Sequence, residues 1–305
     1  MSSCYRAAAA LGGDGQIDGR ANVINVITVH WQTQKWVDVQ LGYLERNVDL
    51  PFRVFASLNG IDDPDVWRRF HFAEDLPGTH YEKLNALGRL VVEQADPEDL
   101  VVFLDGDAFP VRPLFPWVAD QVAGHRLIAV RRDENPGDRE PHASFCATTA
   151  SFWDEIGGDW SNYGRVLLRQ LTEAGVDWLP MLRTNTKDLH PLWFGIYAHR
   201  VYHHGAGFRD RVSKVDERAQ PGLVQARSGN TEGLGSLARA VVRDPASLRR
   251  LRPRHVARVG RAVTRPLHRA RRRQVARRAE PVSDAMFARL ASDPDFYRDL
   301  DDAVF

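Results

Sequence analysis

Apolar runs of strand length alternate with helical stripes along the first third of the chain. Val23 to Val29 is a β-branched apolar run that predicts a first strand. Apolar residues at helical spacing predict an amphipathic helix over Gln34 to Asn47. Phe52 to Leu58 predicts a second strand, and Glu82 to Ala95 predicts a second helix. This alternation predicts an α/β fold with a mixed, mainly parallel sheet flanked by helices.

The next apolar run ends in two acidic residues. Leu100 to Leu104 lies between turn signals and is typical of a strand buried on both faces. Asp105 and Asp107, separated by Gly106, follow it, at the strand end where open α/β sheets bind ligands. Two close carboxylates repel each other unless a cation lies between them, and a hard divalent cation carrying a diphosphate suits that role. The alternative is a solvated Asp-Gly-Asp turn, which we favour less because the acids directly follow a buried strand.

Beyond the two aspartates, the chain is predicted to contain shorter elements. Leu127 to Val130 and Ser144 to Ala150 predict strands, and Tyr163 to Ala174 predicts a helix. A further apolar segment leads into His203 and His204, which we expect at the end of a strand. Because side chains alternate along a strand, only one of these two imidazoles can face the carboxylates.

Composition indicates a globular protein with an unusual distribution of charge. The 305 residues are 43% hydrophobic and 27% charged, and no apolar run approaches the length of a membrane span. The apolar piece Ala7 to Leu11 is too short for a signal peptide, so we expect a disordered leader over 1–21 and a cytoplasmic protein. Two cysteines make neither a disulfide framework nor a zinc site.

Residues 238–278 carry 15 arginines and one acid. Val256, Val259, Val263 and Leu267 form one apolar stripe there, so the pattern predicts a basic amphipathic helix. We expect it either to dock on the anionic inner face of the membrane, or to form a solvated cover that packs on the α/β domain or pairs with the acidic Asp293 to Asp302 end. The predicted domains are accordingly a catalytic domain over 22–228 and an Arg-rich helical C-terminal region over 229–305.

The strand–helix–strand order, the buried strand ending in Asp105-Gly106-Asp107 and a late histidine followed by Gly and Arg resemble one family. Over about residues 22–212 the chain is similar to the nucleotide-sugar glycosyltransferases of GT-A fold. The resemblance implies a Rossmann-like GT-A domain that moves a sugar from a nucleoside-diphosphate donor, with a UDP-sugar favoured, to a glycan or lipid-linked acceptor. It also implies that the two aspartates hold Mn²⁺ or Mg²⁺.

A late histidine often completes the metal shell in this family. In a retaining branch of the family, this histidine begins the motif His-x-x-Gly-x-x-Lys. His204 is favoured over His203 because Gly207 follows it at the spacing of that motif. The basic residue of that motif has no counterpart at Asp210, so the stereochemistry is left open.

The resemblance also suggests contacts for the nucleotide and a catalytic base. The expected nucleotide-binding residues are Thr28, His30, Trp31, Lys83, Asn85, Gly106 and Arg209. Trp31 is equally well explained as a core aromatic, and Lys83 and Asn85 as solvated helix positions. An inverting enzyme needs a carboxylate to deprotonate the acceptor, for which Asp159 is the first candidate, with helix N-capping as its alternative role.

Two other functions compete with this interpretation. Asp105 and Asp107 also fit the nucleophile and the acid/base of a haloacid-dehalogenase-like phosphohydrolase. That family carries the pair near its N-terminus, whereas two predicted strands precede it here. A nucleic-acid-binding protein using residues 238–278 is the second alternative, but no reader motif accompanies the arginines.

Overall fold

The computed structural model describes residues 23–133, 138–185, 194–205 and 283–301. The first elements are β1 (Ile24–Trp31), α1 (Lys35–Asn47), β2 (Phe52–Asn59), α2 (Pro64–Trp67), β3 (Phe72–Glu74), α3 (His80–Val92), β4 (Leu100–Asp105) and β5 (Ala108–Pro110). They are followed by α4 (Phe115–His125), β6 (Leu127–Val130), β7 (His142–Thr149), α5 (Ala150–Glu155), α6 (Arg165–Glu173), β8 (Leu179–Met181), β9 (Gly195–Tyr197) and β10 (Val201–His203). Residues 283–292 form a further helix, α7, and Phe296–Asp299 form a 3-10 helix.

A seven-stranded mixed sheet organises the described part of the chain, in the order β3-β2-β1-β4-β7-β6-β8. β1 runs parallel to both β2 and β4, whereas β7 is antiparallel to its neighbours β4 and β6. The α/β class with a mainly parallel sheet flanked by helices is therefore confirmed. A second, three-stranded antiparallel sheet has the order β5-β10-β9.

Strand β4 is buried on both faces, as its apolar run predicts. Val102 and Leu104 pack into one core with α1 and α4, while Val101 and Phe103 pack into a second core with α3, α5 and α6. The two cores fix the strand on both sides. The carboxyl end of β4, which carries Asp105, is therefore held in a defined position.

Local capping and backbone geometry explain where two helices begin. α3 begins two residues before the expected Glu82, because Thr79 and Glu82 form a reciprocal capping box that includes His80 in the first turn. α6 begins at Arg165 rather than at Tyr163, because Tyr163 and Gly164 both have positive φ.

A third core joins the C-terminal residues to the site-bearing strands. Leu290 and Phe296 pack with Trp36 and with Phe109, and the Tyr43 hydroxyl donates to the carbonyl of Leu290 at 2.8 Å. Residues 283–301 therefore belong to the same packed unit as α1 and β5. The predicted leader, Arg209 and the 238–278 segment lie outside the described residues. Among the residues that are described, no helix is long and apolar enough to cross a membrane.

Candidate active site

Two carboxylates and an imidazole converge where β4 ends. Asp105 is the last residue of β4, Asp107 follows in the turn to β5, and β10 pairs antiparallel with β5 so that His203 lies opposite Ala108. His203 Nε2 lies 3.5 Å from Asp105 Oδ2 and 3.4 Å from Asp107 Oδ1. One ligand atom from each of the three residues lies within 4.8 Å of the others, so the group can hold a metal ion.

The chemistry of this donor set fits a divalent cation. Asp107 and His203 are buried, and carboxylates withdrawn from water need a compensating positive charge. Carboxylate oxygens suit both Mg²⁺ and Mn²⁺, and the imidazole nitrogen suits Mn²⁺ better. The site thus has the ligand types that the sequence predicts, supplied by Asp105, Asp107 and His203.

Two further histidines surround the carboxylates, and sequence reasoning did not place them there. His80, in the first turn of α3, has its Nε2 3.0 Å from Asp105 Oδ1. The ring of His142, at the start of β7, lies 5.9 Å from that of His203. Burial opposes ionisation of Asp105, but the hydrogen bond from His80 and the charges of the nearby imidazoles hold its pKa well below the usual range. Asp105 is therefore an anion ready to bind a cation.

His204 faces the other side of the strand, as alternation requires. Its Nδ1 is hydrogen-bonded to the Tyr202 hydroxyl at 3.0 Å, and its Nε2 to Ser283 Oγ at 2.8 Å. Its ring packs against Trp36 with centroids 4.6 Å apart. The preference for His204 is therefore corrected to His203. The spacing between His204 and Gly207 does not determine which side of β10 faces the carboxylates. That side depends on how β10 pairs with β5.

Gln40 of α1 fixes the turn that carries the acids, a role that the sequence did not reveal. Its amide nitrogen donates to the backbone carbonyls of Asp105 and Ala108, both at 2.8 Å. Its amide oxygen accepts from Thr28 Oγ1 at 3.1 Å and from His30 Nε2 at 3.0 Å. All four hydrogen-bonding positions of this buried amide are thus satisfied.

Thr28 and His30, expected as nucleotide contacts, lie beneath the surface. Both are fully buried and turned toward Gln40. Burial lowers the pKa of His30 to about 4, although the Gln40 hydrogen bond and the charge of Asp107 act in the opposite direction. These residues support the site from within and are not placed to contact a nucleotide.

Trp31 and Lys83 lie together at the end of β1. The Trp31 side chain is 43% exposed, unlike a core aromatic, and Lys83 Nζ lies 4.9 Å from its ring centroid. Burial lowers the pKa of Lys83, while the charge of Asp75 raises it. An exposed indole beside an amine is therefore present on the β1 side of the carboxylates.

Gly106, also expected to contact the nucleotide, is buried in the turn between the two site aspartates.

Asn85 and Asp159 bind each other and link α3 to the loop after α5. Asn85 Nδ2 donates to Asp159 Oδ1 at 2.5 Å, and Asn85 Oδ1 accepts from the Trp160 amide at 2.8 Å. Asp159 also accepts from the Ser161 amide at 2.7 Å, whereas Gly164 is the N-cap of α6. Burial opposes ionisation of Asp159, but hydrogen bonds from Ser161 and Asn85 lower its pKa. The base role of Asp159 stays a prediction.

Fold and site together define an α/β protein with a candidate divalent-metal centre at the carboxyl end of a central strand. No protein-family model and no curated protein matches the chain. Three similar solved structures are residues 1–349 of TarS from S. aureus, the mannosyltransferase PcManGT from Pyrobaculum calidifontis in complex with GDP-Man and Mn²⁺, and the galactosyltransferase LgtC in complex with donor and acceptor sugar analogues.

These likenesses are low and partial. Identity is 15% to TarS, 14% to PcManGT and 14% to LgtC, with TM-scores of 0.33, 0.39 and 0.36. The matches cover 45%, 56% and 52% of this chain, in the same order. This chain spans 50% of the TarS structure, 59% of PcManGT and 73% of LgtC.

Proposed function

We propose that this protein is a metal-dependent glycosyltransferase that moves a sugar from a nucleoside-diphosphate donor to a glycan or lipid-linked acceptor. The observation that carries the proposal is the Asp105, Asp107 and His203 group at the carboxyl end of β4. In open α/β sheets this edge binds the ligand. The D-x-D pattern, through its resemblance to GT-A enzymes, adds the class of ligand. Mn²⁺ or Mg²⁺ is the proposed ion, and a UDP-sugar is the favoured donor.

The surrounding side chains suit such a donor. Trp31 offers an exposed face on which a nucleobase can stack, and Lys83, which is itself buried, lies with its amine against that ring. A divalent ion held by the two aspartates and His203 would neutralise the leaving diphosphate. His80 holds the Asp105 carboxylate in place through its hydrogen bond, so the ligand oxygens are oriented before the donor arrives.

The proposal has three further parts: a catalytic base, a diphosphate contact and a membrane-docking segment. The last two rest on the sequence alone. Asp159 is the proposed base for an inverting reaction, with the alternative that it only ties the loop to α3. Arg209 is proposed to contact the diphosphate. The 238–278 segment is proposed to hold a cytoplasmic enzyme at the anionic inner face of the membrane, in preference to nucleic acid.

The test is a thermal-unfolding panel of UDP-, GDP-, CMP- and dTDP-sugars, each with and without Mn²⁺. A ligand at a hundred times its Kd stabilises the native state by about 2.7 kcal/mol, so the correct donor raises the melting temperature, and only with the metal. Asp107→Asn and His203→Ala are expected to abolish that rise, while Asp120→Asn, an exposed change on α4, leaves it intact. A metal-dependent rise of equal size in the two site variants contradicts the assignment, as does the absence of any rise in the wild type.

A further inference from the structure

An exposed tyrosine, backed by a partly buried one, leads to the carboxylates. Tyr163 is 71% exposed, the highest value for a large apolar side chain in the described part of the chain. Its ring meets Tyr81 edge-on with centroids 5.2 Å apart, and Tyr81 meets His80 in the same way at 5.5 Å. His80 is in turn hydrogen-bonded to Asp105. Three consecutive contacts thus connect an aromatic surface with the metal group.

The backbone around Tyr163 is held in an unfavourable conformation. Asn162, Tyr163 and Gly164 have φ values of 56°, 62° and 80°, a left-handed region that bulky side chains rarely adopt. A Cβ at Gly164 would lie 2.3 Å from the carbonyl oxygen of Pro141, so only glycine fits at that position. Strain of this kind persists only where neighbours impose it, and it concentrates at ligand sites. The loop displays Tyr163 to solvent.

The sheet order and one loop contact place the Tyr163 loop beside β7. β1, which ends at Trp31, and β7, which begins at His142, lie on the two sides of β4. Gly164, next to Tyr163 in this loop, packs on Pro141, directly before β7. A donor stacked on Trp31 would leave the β7 side open for the second substrate.

We propose that Tyr163, supported by Tyr81, binds a sugar ring of the acceptor, an inference that rests on the proposed glycosyltransferase function. The apolar C–H face of a pyranose packs on an aromatic ring, and a tyrosine provides a large contact area with little entropy to lose. The exposed Asn162 and Arg165 beside it can bind sugar hydroxyls. The ligand class is therefore carbohydrate.

The test uses saturation-transfer NMR with five disaccharides as probes: cellobiose, lactose, maltose, chitobiose and mannobiose, in the presence of Mn²⁺ and UDP. We expect at least one to bind the wild type, and Tyr163→Ala to weaken that binding about tenfold, the equivalent of 1.4 kcal/mol. Tyr163→Phe keeps the ring and retains the affinity. Leu182→Ala, which removes an exposed apolar side chain outside this loop, leaves the binding unchanged.

Two failures are distinguishable in this design. Metal-dependent donor binding is measured in parallel and should be equal in the wild type and in every Tyr163 variant, because Tyr163 is not among the proposed metal or nucleotide contacts. If no donor binds but the disaccharide signal depends on Tyr163, the sugar surface stands and the proposed transferase function fails. If a donor binds and no disaccharide binds, or if Tyr163→Ala binds as well as the wild type, the inference is overturned.

Discussion

Replacing Gln40 tests whether one buried amide holds the turn that carries Asp105 and Asp107 in shape. The perturbation is Gln40→Met, which keeps nearly the same volume and removes every polar atom of the side chain. Four groups then lose their partner: the carbonyls of Asp105 and Ala108, the Thr28 hydroxyl and the His30 imidazole. Gln40 is fully buried, so water cannot replace these hydrogen bonds.

The magnitude follows from the four contacts. Each net hydrogen bond contributes about 1 kcal/mol, and each buried group left without a partner costs about 1 to 3 kcal/mol. Because Thr28 and His30 can reorient, we expect a loss of about 3 to 5 kcal/mol in the free energy of unfolding, a large share of the typical 5 to 15 kcal/mol. With a slope near 3 kcal/mol per M urea, the unfolding midpoint falls by roughly 1 M or more.

Urea unfolding followed by circular dichroism measures this loss. Gln94→Met is the matched control, since Gln94 is exposed and its replacement should change stability by about 0.5 kcal/mol or less. A second readout is the Mn²⁺ concentration needed for nucleotide binding, which should rise because the spacing of the two aspartates depends on the turn. A loss below about 1 kcal/mol would refute the argument that this amide fixes the turn.

Two further predictions concern the histidines near the site. Ser283→Ala removes the partner of His204 Nε2 and should cost about 1 to 3 kcal/mol in urea unfolding. It should leave Mn²⁺-dependent nucleotide binding far less affected than His203→Ala does, and equal losses of binding in both would contradict the separate roles. For His30, the folded pKa of about 4 lies below the unfolded value of 6.5, so the unfolded state gains the proton first as the medium is acidified. Stability is therefore lost between about pH 6.5 and pH 4, by up to about 3 kcal/mol, and His30→Gln should flatten that dependence. Parallel pH profiles for the two proteins would show that His30 is not the group responsible.

The alternating elements near the N-terminus were predictable because their signals are local. The apolar runs of β1 and β2 and the helical stripe of α1 lie within single segments, and the predicted bounds differ from the observed ones by at most two residues. The position of Asp105 at a strand end follows from the same local pattern. General rules for parallel sheets then indicate a ligand site at that edge.

Long-range pairing was not predictable in the same way. Nothing in the sequence indicates that β7 inserts antiparallel between β4 and β6, because strand order depends on contacts far apart in the chain. β5 and β10 have only three residues each, too few to show a period. The same limit explains why His80 and Gln40 were missed as site residues. Each is an ordinary position on an amphipathic helix until the fold brings it to Asp105.

The adjacent histidines show how the site depends on a part of the chain distant in sequence. β5 and β10 are too short to be stable as an isolated pair, so the distance between Asp107 and His203 depends on what packs beneath them. That support is the third core, where His204 meets Trp36 and Ser283, and where Phe296 packs against Tyr202. A cation that binds Asp107 and His203 together binds only the state in which this core is assembled. By linkage, such binding and the docking of residues 283–301 must then stabilise each other, although no residue of that segment belongs to the ligand set.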